Sequence, residues 1–157
     1  MSPSLKVLYN FYIRAQPARL RGKKLKDTTE KRPQMATILM IDDDAEFAGL
    51  ASVHFTGLGY QMTLAPNGKD GLQKAAALKP DVIFLDIMMP DMNGIEVLRE
   101  LQAGDETSEI PVLIMSGKYF DKGMNDIFTQ ERNFRGFLGK PVSLAQLQQK
   151  VEAILKK

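Results

Sequence analysis

The chain has 157 residues, 44% hydrophobic and 25% charged, which is the composition of a globular protein with enough chain for one sizeable core. It contains no cysteine and one histidine, so disulfides, thiolate metal sites, cysteine nucleophiles and multi-histidine metal sites are excluded. The net charge of +2 conceals an asymmetry: residues 1–34 hold nine of the 21 Lys/Arg and two of the 19 Asp/Glu, leaving 12 basic against 17 acidic residues from Met35 onward.

Residues 1–34 form a basic leader, and the overall basicity is therefore no evidence of nucleic-acid binding by the whole chain. SLKVLYNFYIRAQPARLRGKK mixes aromatic and basic residues, with no acid before Asp27. We expect this leader to be disordered or not part of the native mature chain, with Met35 as the native start. A basic arm for membranes or nucleic acid and an organellar transit peptide are the other readings. A secretory signal is not expected, because Asn10 breaks the apolar stretch and no small-residue cleavage site follows. No apolar run approaches the roughly 20 residues that cross a bilayer.

From Met35, strand and helix patterns alternate. Thr37–Ile41 reads as a short buried parallel strand. It runs straight into Asp42, Asp43 and Asp44. Two carboxylates about 4 Å apart at an effective dielectric near 20 repel by roughly 4 kcal/mol. Either something offsets that repulsion or the side chains diverge. Asp44 is expected to cap a helix carrying Phe47, Leu50, Ala51, Phe55 and Leu58, which Gly59 stops. Gln61–Ala65 is a weak strand, followed by the turn Pro66-Asn67-Gly68.

Leu72, Ala75 and Ala76 mark a second helix that Pro80 ends, and residues 81–86, DVIFLD, are a strong buried strand. A turn at residues 90–94, PDMNG, precedes a third helix marked by Ile95, Leu98 and Leu101. Residues 111–116, PVLIMS, form a fourth strand. Met124, Ile127 and Phe128 have the spacing of a short helix, and residues 134–138 form a fifth strand. Ser143 and Gln146 fit a capping box that opens a last helix with Leu144, Leu147, Val151 and Ile154 inward. Five such βα units predict an α/β fold: a doubly wound, five-stranded parallel sheet with helices on both faces.

In such sheets ligands sit beyond the carboxyl ends of the strands, where the strand order reverses. Asp42, Asp43 and Asp44 stand there after the first strand, Asp86 after the third, Ser116 at the end of the fourth and Lys140 past the fifth. Paired carboxylates without histidine or cysteine suit a hard cation such as Mg2+. A carboxylate is also a nucleophile toward phosphorus, and phosphoryl transfer needs the charge neutralisation that a metal and a lysine supply. Taken singly, Asp44 is a helix cap, Ser116 a strand-end hydroxyl, Lys140 a solvated charge and Asp86 a turn residue. Their convergence from four strands outweighs those readings. His54 reads as a helix-face residue rather than a phosphohistidine, and the nine methionines as core and loop filler.

The segments ILMIDDD, DVIFLDIMMPDMNG, VLIMSG and FLGKP occur in order over residues 37–157 and resemble the receiver domain of two-component response regulators. The resemblance is to a stand-alone, chemotaxis- or sporulation-type receiver over 35–157. It implies a (βα)5 flavodoxin-like fold with strand order 2-1-3-4-5. It further implies that Asp86 is the phosphoacceptor, with Ser116 and Lys140 as its catalytic partners. Mg2+ would be held by Asp43, Asp86 and the backbone carbonyl of Met88, with Asp42 acting through water. Ser116 and Phe137 would form the switch, and a cis peptide would precede Pro141.

The chain departs from the family pattern at Gly117, where alanine is usual, and in a longer stretch from Ser116 to Lys140 that enters the fifth strand through NFRGF. Met88 and Lys118 occupy positions that tune dephosphorylation in the family, and neither is a carboxylate or amide. The expected partners are a histidine kinase or histidine phosphotransfer protein and an unknown downstream protein, with no membrane and no nucleic acid. Output is expected through residues 124–128, the fifth strand and the last helix, in the cytoplasm, with no output domain following. Beyond its own phosphoryl transfer and dephosphorylation, no enzyme activity is expected. Two rivals remain: a haloacid-dehalogenase-type phosphatase using the D-x-D of residues 42–44, and a nucleic-acid-binding adaptor using the leader.

Overall fold

The computed structural model describes residues 35–117, 126 and 128–156. The leader and the expectations placed on Lys118, Met124 and Ile127 lie outside those residues. The described elements run β1 (Thr37–Ile41), α1 (Ala45–Gly57), β2 (Gln61–Ala65), α2 (Gly68–Leu78), β3 (Val82–Asp86), α3 (Gly94–Ala103), β4 (Val112–Ser116), β5 (Phe134–Gly139) and α4 (Leu144–Leu155). All strand pairs are parallel and the order is β2-β1-β3-β4-β5, so the direction of winding reverses between β1 and β3.

The inner strands are buried on both faces, which is why β1, β3 and β4 read as unbroken apolar runs without alternation. Successive residues still serve opposite sides. Leu39, Ile41, Ile83 and Leu85 belong to a core with Leu98 and Leu101 of α3. Ile38, Met40, Val82 and Phe84 belong to a second core with Phe55 of α1 and Leu147 and Val151 of α4. β2 and β5 are the two edges of the sheet and are only partly covered. Between β4 and β5 the register shifts near Val112 and Leu113, opposite Gly136, whose φ of 145° favours a residue without a Cβ.

The capping expectations hold. Asp44 accepts from the Phe47 N–H at 3.0 Å, and Ser143 and Gln146 form a capping box at the start of α4. Asn67 and Asn93 cap α2 and α3 in the same way. Gly94 opens α3 at a place where a Cβ would meet the Asp86 carbonyl oxygen at 2.5 Å and the Ile87 Cα at 2.7 Å. Its N–H donates to the Ile87 carbonyl at 3.0 Å, so the helix start is pinned onto the end of β3.

Of the apolar residues that mark α1 in the sequence, Ala51 and Phe55 are buried together with Ala48, whereas Leu50 and Leu58 are exposed. This helix is apolar nearly all round, with Val53 also outside, so periodicity alone could not choose its buried face. In α2, Ala76 is exposed, while Gly68, Gly71 and Ala75 are buried. A Cβ on Gly71 would lie 2.5 Å from Ile41 Cδ1, so small residues let this helix approach β1 closely. Between β4 and β5, Asp126, Phe128 and Thr129 are helical, and Phe128 is buried and stacked on Phe134 with centroids 5.7 Å apart.

Candidate functional site

At the carboxyl edge of the sheet, backbone geometry delivers the side chains that the sequence nominated. Asp42 directly follows β1, and its N–H donates to the Ala65 carbonyl at 3.1 Å, continuing the ladder toward β2. Asp86 is the last residue of β3 and Ser116 the last of β4. Lys140 follows β5; its N–H donates to the Ser116 carbonyl at 2.7 Å, and the Lys140–Pro141 peptide is cis. Asp42, Asp86 and Ser116 are buried, whereas Asp43 is exposed.

The three aspartates after β1 divide: one leaves the acidic cluster and two stay in it. Asp44 turns away to cap α1, and its N–H donates to Asp42 Oδ1 at 2.9 Å. Asp42, Asp43 and Asp86 offer carboxylate oxygens that all lie within 4.8 Å of one another. Lys140 Nζ offsets the charge from the other side, 2.8 Å from Asp42 Oδ2 and 3.5 Å from Asp86 Oδ2. The Met88 N–H donates to Asp86 Oδ1 at 3.2 Å, while the Met88 side chain is half exposed at the rim.

Burial raises the Asp86 carboxyl pKa from 3.8 to about 6, reinforced by the Asp42 charge and less by Asp43, while Lys140 and the Met88 N–H oppose the rise. Burial alone would lower the Lys140 ammonium, but its hydrogen bond to Asp42 and the charges of Asp42 and Asp86 prevail and raise it. The site holds one strained acid and one committed cation.

A stability prediction follows from the raised acid. A folded-state pKa above the unfolded value gives stabilisation that is complete below 3.8 and lost as pH rises through about 6. At neutral pH, in chelator, ionised Asp86 therefore opposes folding by on the order of 1–3 kcal/mol. Asp86→Asn is expected to melt several degrees above the native chain at neutral pH in chelator, and the gain is expected to vanish toward about pH 4. A gain independent of pH would contradict this electrostatic origin.

Ser116 and Phe137 are related by strand register. Ile114 pairs with Phe137 and Ser116 with Gly139, so Ser116 and Phe137 lie on the same sheet face two positions apart on adjacent strands. Phe137 is half buried against the first core, and a Cβ at Gly139 would lie 4.0 Å from its ring. His54 is a helix-face residue whose Nε2 lies 3.2 Å from Gln148 Oε1 on α4.

One participant was missed by the sequence reading. Phe47, in the first turn of α1, sets its ring 5.5 Å from Lys140 Nζ. The available signal was directional: helical side chains lean toward the N-terminus, so a residue three after the cap overhangs the end of the preceding strand.

Residues 38–152 match the response regulator receiver domain. Protein PilH of Pseudomonas aeruginosa is 36% identical over 121 residues, covering 77% of this chain and 98% of that protein. The alkaline phosphatase synthesis transcriptional regulatory protein PhoP of Bacillus subtilis is 31% identical over 76% of this chain and 48% of its own length. The chain thus spans nearly all of PilH and about half of PhoP. Among solved structures, the Vibrio cholerae chemotaxis protein CheY4 matches with a TM-score of 0.70 at 25% identity, covering 77% of this chain and 99% of that one. The receiver domain of the Francisella response regulator 1452 matches with a TM-score of 0.66 at 30% identity, covering 76% and 95%.

Proposed function

This chain belongs to the response-regulator receiver-domain family, and from that premise we propose that Asp86 is the residue through which it performs phosphoacceptor signalling. The phosphoryl group would come from a histidine kinase or a phosphotransfer protein. The observation that carries this reading is the set of three carboxylates within 4.8 Å of one another, with the Lys140 ammonium in reach of two of them. Receivers are signalling proteins, and neither the phosphatase nor the nucleic-acid alternative is favoured. Residues 1–34 contribute none of the proposed site residues and are treated as a separate leader.

An Asp86 carboxylate oxygen attacks phosphorus, the phosphorus–nitrogen bond to the donor imidazole breaks, and the electron pair stays on that nitrogen. The product is an acyl phosphate on Asp86. Lys140 keeps its proton and balances the negative charge, and the Ser116 hydroxyl donates to a phosphoryl oxygen. The donor set fits Mg2+: hard carboxylate oxygens gathered at one edge, with no thiolate or imidazole among the described residues of the cluster. Asp43, Asp86 and the Met88 carbonyl would hold the ion directly, and Asp42 through a water. When bound, Mg2+ supplies neutralisation of charge on the transferring group.

This division of labour is tested by titration calorimetry. Asp43→Asn is expected to weaken Mg2+ binding by tenfold or more, on the order expected for losing one charged ligand. Asp44→Asn should bind nearly as the native chain does, because asparagine caps a helix about as well as aspartate. Equal losses in the two variants would overturn it. The accompanying readout of function is Mg2+-dependent incorporation of acid-labile phosphate from a small phosphodonor.

A further inference from the structure

Lys140 carries its charge on a flexible stem, and its two carboxylate neighbours are both committed elsewhere. Asp42 and Asp86 hold the ammonium at 2.8 and 3.5 Å, yet each is also a proposed participant in metal binding. A hold that is independent of those carboxylates is needed once the cation is engaged by other groups. The Phe47 ring supplies one, with Lys140 Nζ 5.5 Å from its centroid.

The ring is itself anchored twice. The Phe47 N–H donates to Asp44 Oδ1 at 3.0 Å, fixing the first turn of α1, and the side chain packs partly buried against the second core. A cavity of about 360 Å³ lined by Asp44, Phe47, Lys140, Pro141 and Val142 lies beside the pair. The capping aspartate thus has a second consequence: by setting the first helical turn, it places an aromatic face beside the end of β5.

We propose that Phe47 is a positioning residue for Lys140, its aromatic face holding the ammonium where it meets the phosphoryl group. This rests on the reading of Lys140 as the cation that pairs with that group. An aliphatic side chain of similar volume fills the same space but offers no quadrupole to the cation.

The test uses beryllofluoride, in the presence of saturating Mg2+, as the probe for the phosphoryl group. Phe47→Leu and Phe47→Met are each expected to weaken its binding about threefold to tenfold, the range of a partly desolvated cation–π contact. Phe47→Tyr should restore most of the affinity, and Mg2+ binding alone should be unchanged in all three. Melting curves identify any variant that has lost its fold, and the two aliphatic replacements guard against one failing. Lys140→Ala is expected to weaken binding at least about tenfold, as for loss of a charged hydrogen bond. In that background Phe47→Leu should cause no further loss, because the ring acts through the lysine. The same loss in both backgrounds, or native affinity in both folded aliphatic variants, would overturn the proposal while leaving Lys140 in its role. Native affinity in Lys140→Ala would overturn the reading of Lys140 and this proposal with it.

Discussion

Asp86→Asn is expected to incorporate no phosphate from phosphoramidate or acetyl phosphate, under conditions where the native chain gains an acid-labile, hydroxylamine-sensitive phosphate. The amide is nearly isosteric, so the fold and the neighbouring Asp42 and Lys140 remain, but its oxygen is no longer an anionic nucleophile. No other carboxylate in the cluster has equivalent surroundings: Asp42 is buried but bonded to Lys140 and to the Asp44 N–H, and Asp43 is exposed. The higher melting temperature expected for the same variant makes misfolding an inadequate explanation of a null result. Robust, hydroxylamine-sensitive incorporation in Asp86→Asn would remove Asp86 from the centre of the mechanism.

Lys140→Ala is expected to abolish the conformational response even in the fraction that is phosphorylated, whereas Ser116→Ala should accept phosphate and respond weakly. Phosphorylation adds about −1.5 to −2 charges at neutral pH beside a buried acidic cluster. Inverting a 1:99 equilibrium requires about 5.5 kcal/mol of differential stabilisation. One charge-assisted hydrogen bond from Ser116 would give about 1.5–3 kcal/mol, so on the proposed mechanism the lysine and a Mg2+ ion, if bound, would supply the remainder. The same-face placement of Ser116 and Phe137 supports the proposed route, in which movement of the hydroxyl would alter the packing available to the ring. The measurement is NMR shifts at Phe137 and along β5, compared with phosphate content. Full shifts in phosphorylated Lys140→Ala would refute this partition.

The strand skeleton and the site were legible for a common reason. Inner parallel strands must be apolar on both faces, so a polar residue at their carboxyl ends stands out against the run that precedes it. Asp42, Asp86 and Ser116 stand out by that contrast, Lys140 only by its place just past the edge strand β5, and the strand-order rule gathers the four. Helix faces were less legible where contrast was missing. The sequence does not separate the exposed Leu50 and Leu58 from the buried Ala51 and Phe55, because α1 offers apolar residues nearly all round, nor the exposed Ala76 from the buried Ala75 beside it. The Phe47–Lys140 contact joins residues 93 positions apart and had no periodic signature. It depends on the angle at which α1 leaves β1, which the sequence encodes only through the cap at Asp44.

The pinning of Gly94 against Asp86 and Ile87 also makes the sheet edge mechanically lopsided. Behind Asp86 there is no slack: α3 begins in backbone contact with the end of β3, and the Ile87 N–H is donated to the Met115 carbonyl at 3.0 Å. Toward β5 the surroundings differ, with an edge strand, a register break at Gly136 and a half-buried Phe137. If Asp86 is phosphorylated as proposed, the loop after β3 would serve as an abutment, and the strain of the new charged group would be directed across β4 toward β5 rather than dissipated where it arises.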